Sequence, residues 1–482
     1  MFDVIVIGGG PAGVTAALRA RELGASVALV ERDHLGGTCT NDGCVPTRVL
    51  AKAARLLRNA EQFDAYGLVG ERPVVDLAKL MSRTQEIVYK IHEKKQLVQH
   101  LNNSGVTVYI GAGEARFVDA HTITLDGDQQ LQAEKFIICA GGHARRLNFP
   151  GSEYALTHSD VWSLRRLPRS VLIIGGAATG CQLASIFAAF GTSTTVFELG
   201  PRLLALEDET VAQSIQQAFE KRGIEIINGF GGVERIEKLD QSLELHYKMG
   251  QEIHIRQAEA IVLAVGWPGN VDSLNLAAAN VEVQRGYVLV DDVFRTSTGN
   301  IFAAGDITGR MMLVQSAGFE ARTAAENAVL GPGQPYRHQL VPHGSFTDPE
   351  YASVGMTEAQ ARAVQECAVA VVPYSNIDRA VIDGHTEGFC KLIVSTDTHR
   401  ILGAHVVGEQ AVEIVHFVAA GMAADIWLEQ LAEIEIAYPT YTAIVGLAAR
   451  RLVRDLGVMP LSPEWRTLDR PHAAEWERSE NL

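Results

Sequence analysis

Two stretches of the chain share one pattern of hydrophobic and polar positions. Each begins with a short apolar run, DVIVI from Asp3 or SVLII from Ser170, and continues through a glycine-rich turn into a segment of helical composition. A second apolar run, VALVE or TTVFE, follows and ends in an acidic residue. Short uninterrupted apolar runs bounded by glycines are typical of buried parallel strands. The pattern therefore predicts a unit of strand, turn, helix and strand that occurs twice.

The two units keep the same spacing, 23 residues, from their first glycine to their terminal acid. Such a turn lets the backbone approach a pyrophosphate at a helix N-terminus, where free N–H groups and the helix dipole favour negative charge. The terminal acid would accept hydrogen bonds from a ribose diol and repel a 2′-phosphate, so the second unit favours NADH over NADPH. The alternative is that this acid is only a solvated strand end. The residues concerned are Gly8, Gly10, Gly13 and Glu31 in the first unit and Gly175, Gly180 and Glu198 in the second.

Two nucleotide-binding units imply two dinucleotide ligands, a requirement that a flavin and a nicotinamide would meet. The stretch TSTGNIFAAGDITG adds a strand that ends at Gly305 and Asp306, where a carboxylate could hold the ribityl chain of a flavin. A turn with a solvated Asp is the alternative. From about Val341 the pattern changes to strand, turn and strand without a nucleotide fingerprint, and helical material follows from Glu409 to about Leu452.

Length and charge narrow the class of protein. The chain has 482 residues, which is too long for one core and predicts two to four domains. Its formal net charge of -15 gives no basic footprint for nucleic acid or anionic lipid, so neither partner is expected. No apolar run approaches the roughly 20 residues that span a bilayer. The first residues lack the pattern of a signal peptide, and we expect a soluble, cytoplasmic protein.

Six cysteines are too few for a secreted disulfide framework, but Cys39 and Cys44 form a close pair in GGTCTNDGCVPT. Their spacing is too wide for a CxxC turn, and zinc would need further ligands. A disulfide between a loop and a helix is the natural interpretation. Pro46 suits a first helical turn, so Cys44 lies near a helix N-terminus, which favours its thiolate. The alternative is two unpaired core cysteines.

With these motifs the chain resembles the pyridine nucleotide-disulfide oxidoreductases, from residue 2 to about residue 455. The markers are the paired fingerprints, GGTCTNDGCVPT, FAAGDI, TDPEYASVGMTEAQA and GFCKLIVSTDTHRILGAHVVG. The resemblance implies an α/β fold with two Rossmann-like domains and an α+β dimerisation domain, in a homodimer. The implied boundaries are 1–150 for FAD binding, 151–271 for NAD binding, 272–340 for a central domain, 341–465 for dimerisation and 466–482 for a polar tail.

The resemblance also implies roles for single residues. Cys39 matches the thiol that exchanges with substrate, and Cys44 matches the thiol that contacts the flavin. No metal site is expected. The implied FAD contacts are Gly8, Gly10, Pro11, Ala12, Gly13, Glu31, Gly37, Thr38, Arg48, Ala115, Gly141, Asp306, Met312, Leu313, Val314 and Gln315, and the implied NAD contacts are Gly175, Gly176, Ala178, Gly180, Glu198 and Gly266.

The C-terminal motif departs from the family pattern. Thiol-disulfide members carry HxHPTxxE, whose His moves the proton of the exchange thiol and is oriented by the Glu. Here the segment reads IAYPTYTA, with Tyr438 and Ala443 at those positions. A phenol, with an ordinary pKa of about 10, is a poorer proton carrier at neutral pH than imidazole, so turnover of ordinary disulfides is expected to be slow. The motif PxxTxxxGL resembles the mercuric reductase branch, but no cysteine follows Cys390 to relay a metal ion.

Substitutions also occur beside the flavin and the nicotinamide. The family's Lys after the second cysteine is Arg48, and the Glu of its second fingerprint is Gln182, so an Arg–amide contact is expected in place of the ion pair. A fingerprint glycine is Ala177, and the aromatic cover of the nicotinamide pocket is Ala178, which predicts a more open pocket.

The sequence thus predicts an NADH-dependent FAD enzyme that passes electrons through Cys39 and Cys44 to an unidentified acceptor. The acceptor is a small-molecule or protein-borne disulfide or another electron acceptor. Three alternatives stay open. One is a specialised dihydrolipoamide dehydrogenase, the second an NADH:quinone or metal-ion reductase with direct electron transfer from flavin, and the third a flavin redox sensor without turnover.

Overall fold

The computed structural model describes residues 1–331, 333, 335–336 and 340–458. The predicted polar tail, 466–482, and the last residues of the predicted dimerisation domain lie outside them. Along this described part of the chain, no helix combines the length and the apolar character needed to cross a bilayer.

Twenty-one strands and fourteen α-helices are present in the described residues. The strands are Phe2–Ile7 (β1), Val27–Glu31 (β2), Thr107–Ile110 (β3), Arg116–Asp119 (β4), Thr122–Thr124 (β5), Gln130–Ile138 (β6), Ser170–Ile174 (β7), Ser193–Glu198 (β8), Glu225–Asn228 (β9), Val233–Lys238 (β10), Leu243–Met249 (β11), Glu252–Ala258 (β12), Ala260–Leu263 (β13), Val283–Gln284 (β14), Tyr287–Val288 (β15), Ile301–Ala303 (β16), His343–Ser345 (β17), Tyr351–Gly355 (β18), Cys367–Pro373 (β19), Phe389–Ser395 (β20) and Ile401–Val407 (β21). The helices are Pro11–Glu22 (α1), Gly37–Asn41 (α2), Cys44–Ala60 (α3), Leu77–Lys95 (α4), Leu97–Asn103 (α5), His158–Val161 (α6), Ala178–Ala189 (α7), Glu209–Lys221 (α8), Val314–Leu330 (α9), Glu358–Val364 (α10), Asp378–Ile382 (α11), Ala411–Ala423 (α12), Leu428–Glu433 (α13) and Ala443–Asp455 (α14).

The first repeated unit lies in a seven-stranded sheet, six strands of which follow the order β3-β2-β1-β6-β5-β4. Strands β1 and β2 pair in parallel, as the apolar pattern predicts. The strand predicted before Asp306 is β16, which joins the same sheet in parallel with β6. Helices α1 and α9 share one core cluster, lined largely by alanine, so their axes can approach closely. The carboxyl ends of β1 and β16 therefore open toward the same edge of the sheet.

The second unit forms a four-stranded parallel sheet, β13-β7-β8-β9, with a separate antiparallel meander, β10-β11-β12. The C-terminal part is a five-stranded antiparallel sheet, β17-β18-β21-β20-β19, whose core also contains residues of α12 and α14. The predicted fold class, two Rossmann-like units and an α+β unit, is confirmed.

Two local expectations differ from the structure. The segment before Cys44 was expected to be a loop, but Gly37–Asn41 forms a short helix, α2, so both cysteines lie on helices. The helical region expected from Glu409 to Leu452 is interrupted between α13 and α14. Pro439 lies in that interruption and lacks the N–H that a helix interior needs.

A buried ion pair joins the second nucleotide-binding unit to the C-terminal sheet. The ammonium of Lys391 donates to Asp208 at 2.8 Å and contacts Glu358 at 2.7 Å. The side chains of Lys391 and Asp208 are only 3% and 2% exposed. Asp208 also caps α8, since its Oδ1 accepts from the N–H of Thr210 at 3.1 Å. Because a buried charge is costly without its partner, this contact couples the folding of the two units.

We expect Lys391→Met to lower the free energy of unfolding by about 3–5 kcal/mol, because it leaves the Asp208 carboxylate buried and unpaired. Adding Asp208→Asn should restore most of the loss, since the amide keeps an oxygen for the cap of α8. Urea denaturation followed by circular dichroism measures the free energy of unfolding of the single and the double variant. Lys221→Met, which breaks an exposed pair with Glu387, is the control and should cost less than about 1 kcal/mol. Wild-type stability in Lys391→Met would contradict the prediction.

Candidate active site

The first glycine turn has no room for side chains at two of its positions. Gly8 has φ +105°, and a Cβ there would lie 2.3 Å from the carbonyl oxygen of Cys139. A Cβ on Gly13 would lie 1.7 Å from the carbonyl oxygen of Gly8. Glycine is therefore required to keep β1, α1 and β6 at this separation, as the sequence pattern predicts.

The N-terminus of α1 suits an anionic ligand. Its N-cap residue is Gly10, no side chain caps the first turn, and that turn holds no acidic residue. Free N–H groups and the helix dipole then favour a phosphate. Glu31 lies beside the turn, and its two oxygens accept from the N–H groups of Gly9, at 2.7 Å, and Asp33, at 2.8 Å. The carboxylate is thereby oriented with lone pairs to spare for a ribose diol. These residues fit the nucleotide half of FAD.

The second turn repeats this construction. Gly175 has φ +110°, and a Cβ on Gly180 would lie 1.8 Å from the carbonyl oxygen of Gly175. Glu198 accepts from the N–H groups of Gly176 and Gly200, both at 2.7 Å. The N-cap of α7 is Ala177, which no side chain caps, and Ala178 after it is exposed. The start of α7 is therefore open to a second dinucleotide. Gly266, the other predicted contact, follows β13 with φ +127° and lies near Arg145.

The segment that carries the cysteines packs directly on the first turn. The N–H of Gly36 donates to the carbonyl oxygen of Gly9 at 2.9 Å. A Cβ on Gly37 would lie 2.8 Å from the Cα of Gly10. Helix α2 begins at this contact, and α3 begins at Cys44 with Gly43 as its N-cap. The dithiol is thus held beside the phosphate-binding turn by backbone contacts.

Cys39 and Cys44 are both free thiols and hydrogen-bond each other. The hydrogen bond from Cys39, helped by the N–H of Cys44 itself, lowers the pKa of Cys44 to about 7 against the effect of burial. The same contact, with burial, raises the pKa of Cys39 well above its ordinary value. Above about pH 7, Cys44 is therefore the thiolate, while Cys39 keeps its proton. The ammonium of Lys95 acts on Cys39 in the opposite direction and lowers its pKa.

A clamp on the redox segment was not predicted from the sequence. Asp42 lies between the two cysteines, and its carboxylate accepts from Ser159 at 2.5 Å. Its carbonyl oxygen accepts from the indole N–H of Trp162 at 2.6 Å. His158 lies 3.6 Å from the same carboxylate, and burial lowers its pKa. Only the motif THSDVW, where four polar residues and a valine precede a tryptophan, could have pointed to this contact.

Asp306 follows β16, at the same edge of the first sheet as the first glycine turn. Burial raises the pKa of this carboxylate, and the one hydrogen bond that opposes the shift comes from the indole N–H of Trp267 at 3.0 Å. A carboxylate in this setting gains from further donors, such as the hydroxyl groups of a ribityl chain. Trp267, in the segment AVGWPGN, was not singled out in the sequence.

The remaining predicted FAD contacts lie around the same edge. Leu313 is the N-cap of α9, Met312 and Val314 beside it are exposed, and Gln315 donates to the carbonyl oxygen of Pro342 at 2.9 Å. Gly305 packs close to Ala12, so α1 and α9 begin near each other. Pro11 is the first residue of α1, Thr38 lies in α2, Ala115 is buried before β4, and Gly141 follows β6 with φ +69°.

The structure differs from the Arg–amide contact expected between Arg48 and Gln182. Among the described residues these two share no hydrogen bond; both contact Phe346 instead. The guanidinium of Arg48 lies 3.2 Å from the centre of the Phe346 ring, and Gln182 accepts from the Phe346 N–H at 3.0 Å. A planar guanidinium stacks on an aromatic face better than an ammonium does, which accounts for Arg at this position.

Tyr438 lies in the C-terminal unit, before α14, and is 53% exposed. Its hydroxyl donates to Asp378 of α11 at 2.7 Å. Tyr441, in the same segment, is buried and donates to Asp383 at 3.0 Å. The segment that replaces the family's His and Glu is therefore anchored to α11 by two phenol–carboxylate hydrogen bonds.

Two dinucleotide-binding turns, with a dithiol packed against the first, define an oxidoreductase that couples a nucleotide cofactor to thiol chemistry. The comparisons give the family. The model for the pyridine nucleotide-disulphide oxidoreductases matches residues 2–321, and the model for their dimerisation domain matches residues 341–449. The chain belongs to this family. It is an NAD(P)H-dependent flavoprotein disulfide oxidoreductase, and its family binds FAD.

Relatives of known name come from three kinds of enzyme. The chain is 33% identical to a mercuric reductase of Bacillus cereus, over 96% of this chain and 73% of the relative. It is also 33% identical to a dihydrolipoyl dehydrogenase of Zymomonas mobilis, over 86% of this chain and 90% of the relative. Among solved structures, a Cu(II) complex of the HOCl-induced flavoprotein disulfide reductase RclA from Escherichia coli superposes with a TM-score of 0.83 at 27% identity, covering 94% of this chain and 99% of that one.

We expect the thiolate of Cys44 in the reduced enzyme to titrate with a midpoint near pH 7, present above that pH and lost below it. A thiolate beside an oxidised flavin gives a long-wavelength charge-transfer absorbance, and this absorbance followed against pH measures the midpoint. Cys39→Ala removes the hydrogen-bond donor and should raise the midpoint by more than about one pH unit, on the scale of a charge-assisted hydrogen bond.

Lys95→Gln is the matched control for this titration. Lys95 acts on the pKa of Cys39, and Cys44 has no resolved influence from it, so the midpoint should stay unchanged. An unchanged midpoint in Cys39→Ala would show that the thiol contact does not set the acidity of Cys44.

Proposed function

We propose that this enzyme moves electrons from NADH, through FAD, to the Cys39–Cys44 pair and on to an acceptor outside the chain. The observation that carries the proposal is the thiol pair itself: Cys39 and Cys44 hydrogen-bond each other on a segment that is bonded to the first glycine turn, and this contact lowers the pKa of Cys44 and raises that of Cys39. Above about pH 7, reduction of the disulfide takes up two electrons and one proton, and it yields a Cys44 thiolate and a protonated Cys39.

FAD, when bound, supplies the conversion between hydride transfer and thiol chemistry. The chain's own residues hold it by the turn from Gly8 to Gly13, by Glu31 and by Asp306. The clamp on Asp42 keeps the redox segment against that turn and so keeps the cysteines in place. Arg48, with its planar group on Phe346, and Gln182, on the backbone of that residue, fix the C-terminal sheet against α3 and α7.

Two side chains support NADH rather than NADPH. The carboxylate of Glu198 is oriented beside the second turn, where it favours a ribose diol and repels a 2′-phosphate. Arg202 is the nearest cation in sequence, but its guanidinium donates to three backbone carbonyl groups, those of Leu204, Ala205 and Glu207. It is therefore committed to the backbone rather than to a phosphate.

The enzyme works as a homodimer in this proposal, through the dimerisation domain. Tyr438 takes the place of the interface His, so the acceptor is one that needs little proton transfer from that position. The domains are 1–150 for FAD, 151–271 for NAD, 272–340 as a central domain and 341–465 for dimerisation, followed by the tail 466–482. The cytoplasmic location stays a prediction.

A metal ion is the second candidate for the acceptor. Tyr438 in place of His favours it, because a thiophilic metal ion binds thiolates directly and needs no general base. Two relatives support it: mercuric reductases, and RclA, which was solved as a Cu(II) complex. A specialised dihydrolipoamide dehydrogenase would need another proton carrier.

Cys39→Ser tests the route through the dithiol. We expect it to lower NADH-dependent reduction of a disulfide or metal-ion acceptor by about 1,000-fold or more, on the scale of removing a nucleophile. Bleaching of the flavin by NADH should continue. Stopped-flow absorbance separates the two steps, and a panel of lipoamide, glutathione disulfide, quinones and Cu(II) or Hg(II) salts identifies the acceptor.

Cys367→Ala, in the C-terminal sheet, is the control and should keep wild-type rates. Tyr438→His should raise turnover of ordinary disulfides, because imidazole restores a proton carrier near neutral pH. Acceptor reduction at the wild-type rate in Cys39→Ser would overturn the proposal in favour of direct transfer from the flavin.

For the coenzyme, we expect kcat/KM with NADH to exceed that with NADPH by on the order of 10-fold or more, from charge repulsion at Glu198. Glu198→Gln removes the charge but keeps one oxygen to accept from the backbone. It should therefore lower the ratio of kcat/KM with NADH to kcat/KM with NADPH. Glu209→Gln, a nearby exposed residue of α8, should leave it unchanged. Equal use of both coenzymes by the wild type would contradict the assignment.

A further inference from the structure

The meander β10-β11-β12 carries a cluster of ionisable side chains that the redox chemistry does not use. In its antiparallel pairing, Glu237 of β10 lies directly opposite Glu244 of β11, and His246 lies two residues further along β11 on the same face. Like charges directly opposite each other destabilise a sheet unless a cation lies between them. The opposite face, with Ile236 and Leu245, is buried in the core of the unit.

The imidazole of His246 is the unusual member of this cluster. His246 is only 4% exposed, and its Nε2 is a buried atom with no hydrogen-bond partner among the described residues. That nitrogen points at the two carboxylates: it lies 3.6 Å from an oxygen of Glu237 and 3.6 Å from an oxygen of Glu244. A buried nitrogen without a partner is costly and calls for an explanation.

We propose that His246, Glu237 and Glu244 bind a divalent transition-metal ion such as Zn²⁺. The ligand atoms lie within 4.8 Å of one another. Bonds of about 2.1 Å to a tetrahedral ion place ligand atoms roughly 3.4 Å apart, close to the two separations at His246. One imidazole and two carboxylates are ligands that such an ion accepts, and water can complete the coordination.

The other contacts of the carboxylates show what the ion has to displace. Glu244 uses one oxygen to accept from Gln257 at 2.5 Å and turns the other toward His246. Glu237 accepts from Arg235 at 2.5 Å through the oxygen nearest His246. The side chains of Arg235 and Glu237 are 41% and 47% exposed, and an ion pair this open to solvent is worth little. Arg235 is therefore a competitor that an ion can displace.

Zinc binding to the full-length holoenzyme tests the proposal. The enzyme is first oxidised, so that Cys39 and Cys44 form a disulfide and cannot ligate zinc, and is freed of metal with EDTA. The other four cysteines are buried. We expect isothermal titration calorimetry with ZnCl₂ to show one site per chain, and we expect His246→Ala and Glu244→Gln each to weaken it at least about 10-fold.

Two further variants sharpen the test. Arg235→Gln removes the competitor and should tighten zinc binding. His254→Ala is the matched control, because His254 on β12 is exposed and lies near one carboxylate, that of Glu252, and its loss should change nothing. FAD content and melting temperature report whether each variant is folded. If His246→Ala does not fold, Glu244→Gln still tests the site, because its amide oxygen can keep the contact with Gln257. Absence of a zinc site in the wild type, or equal affinity in wild type and Glu244→Gln, would overturn the proposal.

Discussion

The contact between the redox segment and the first glycine turn is the constraint on which the site depends. It consists of one hydrogen bond, from Gly36 to Gly9, and of the close approach of Gly37 to Gly10. Both are contacts between backbones without side chains. A Cβ at Gly37 would push the segment away from the turn, and the cysteines with it. The close approach depends on Gly37, since a Cβ on Gly10 would lie 3.7 Å from the Cα of Gly37, an ordinary contact distance.

The two glycine turns are built alike, but they lie in different surroundings. Glu31 and Glu198 are held by equivalent pairs of backbone N–H groups, and the turns before them exclude side chains at equivalent positions. The difference lies in what surrounds each turn. The first meets the cysteine segment and the strand that leads to Asp306, whereas the second begins with exposed Ala177 and Ala178 and remains open.

The features that could be predicted from the sequence are those that depend on residues close together in the chain. Apolar runs and glycine spacing were enough for both parallel units, for the acids at the ends of β2 and β8, and for Cys44 at a helix start. It could not predict contacts between segments far apart in the chain. Asp42 with Ser159 and Trp162, Trp267 with Asp306, and Phe346 between Arg48 and Gln182 all join distant segments, and no periodicity marks them. Lys391 is an extreme case, because a lysine in an apolar strand gives no sign of its buried partner.

The location of the proton in the thiol pair explains why the substitution at Tyr438 has consequences for the acceptor. Cys39, the predicted exchange thiol, holds its proton tightly because it donates to the Cys44 thiolate. To attack a disulfide it has to give that proton to Cys44 or to an external base. Moving the proton from Cys39 to Cys44 is uphill, because the helix start and the hydrogen bond make Cys44 the more acidic of the two thiols. A His at the interface would remove the proton by another path; a phenol whose hydroxyl is directed at Asp378 is poorly placed to accept one. An acceptor that binds thiolate sulfur and displaces the proton itself avoids this barrier, and this argument favours a soft metal ion over a simple disulfide.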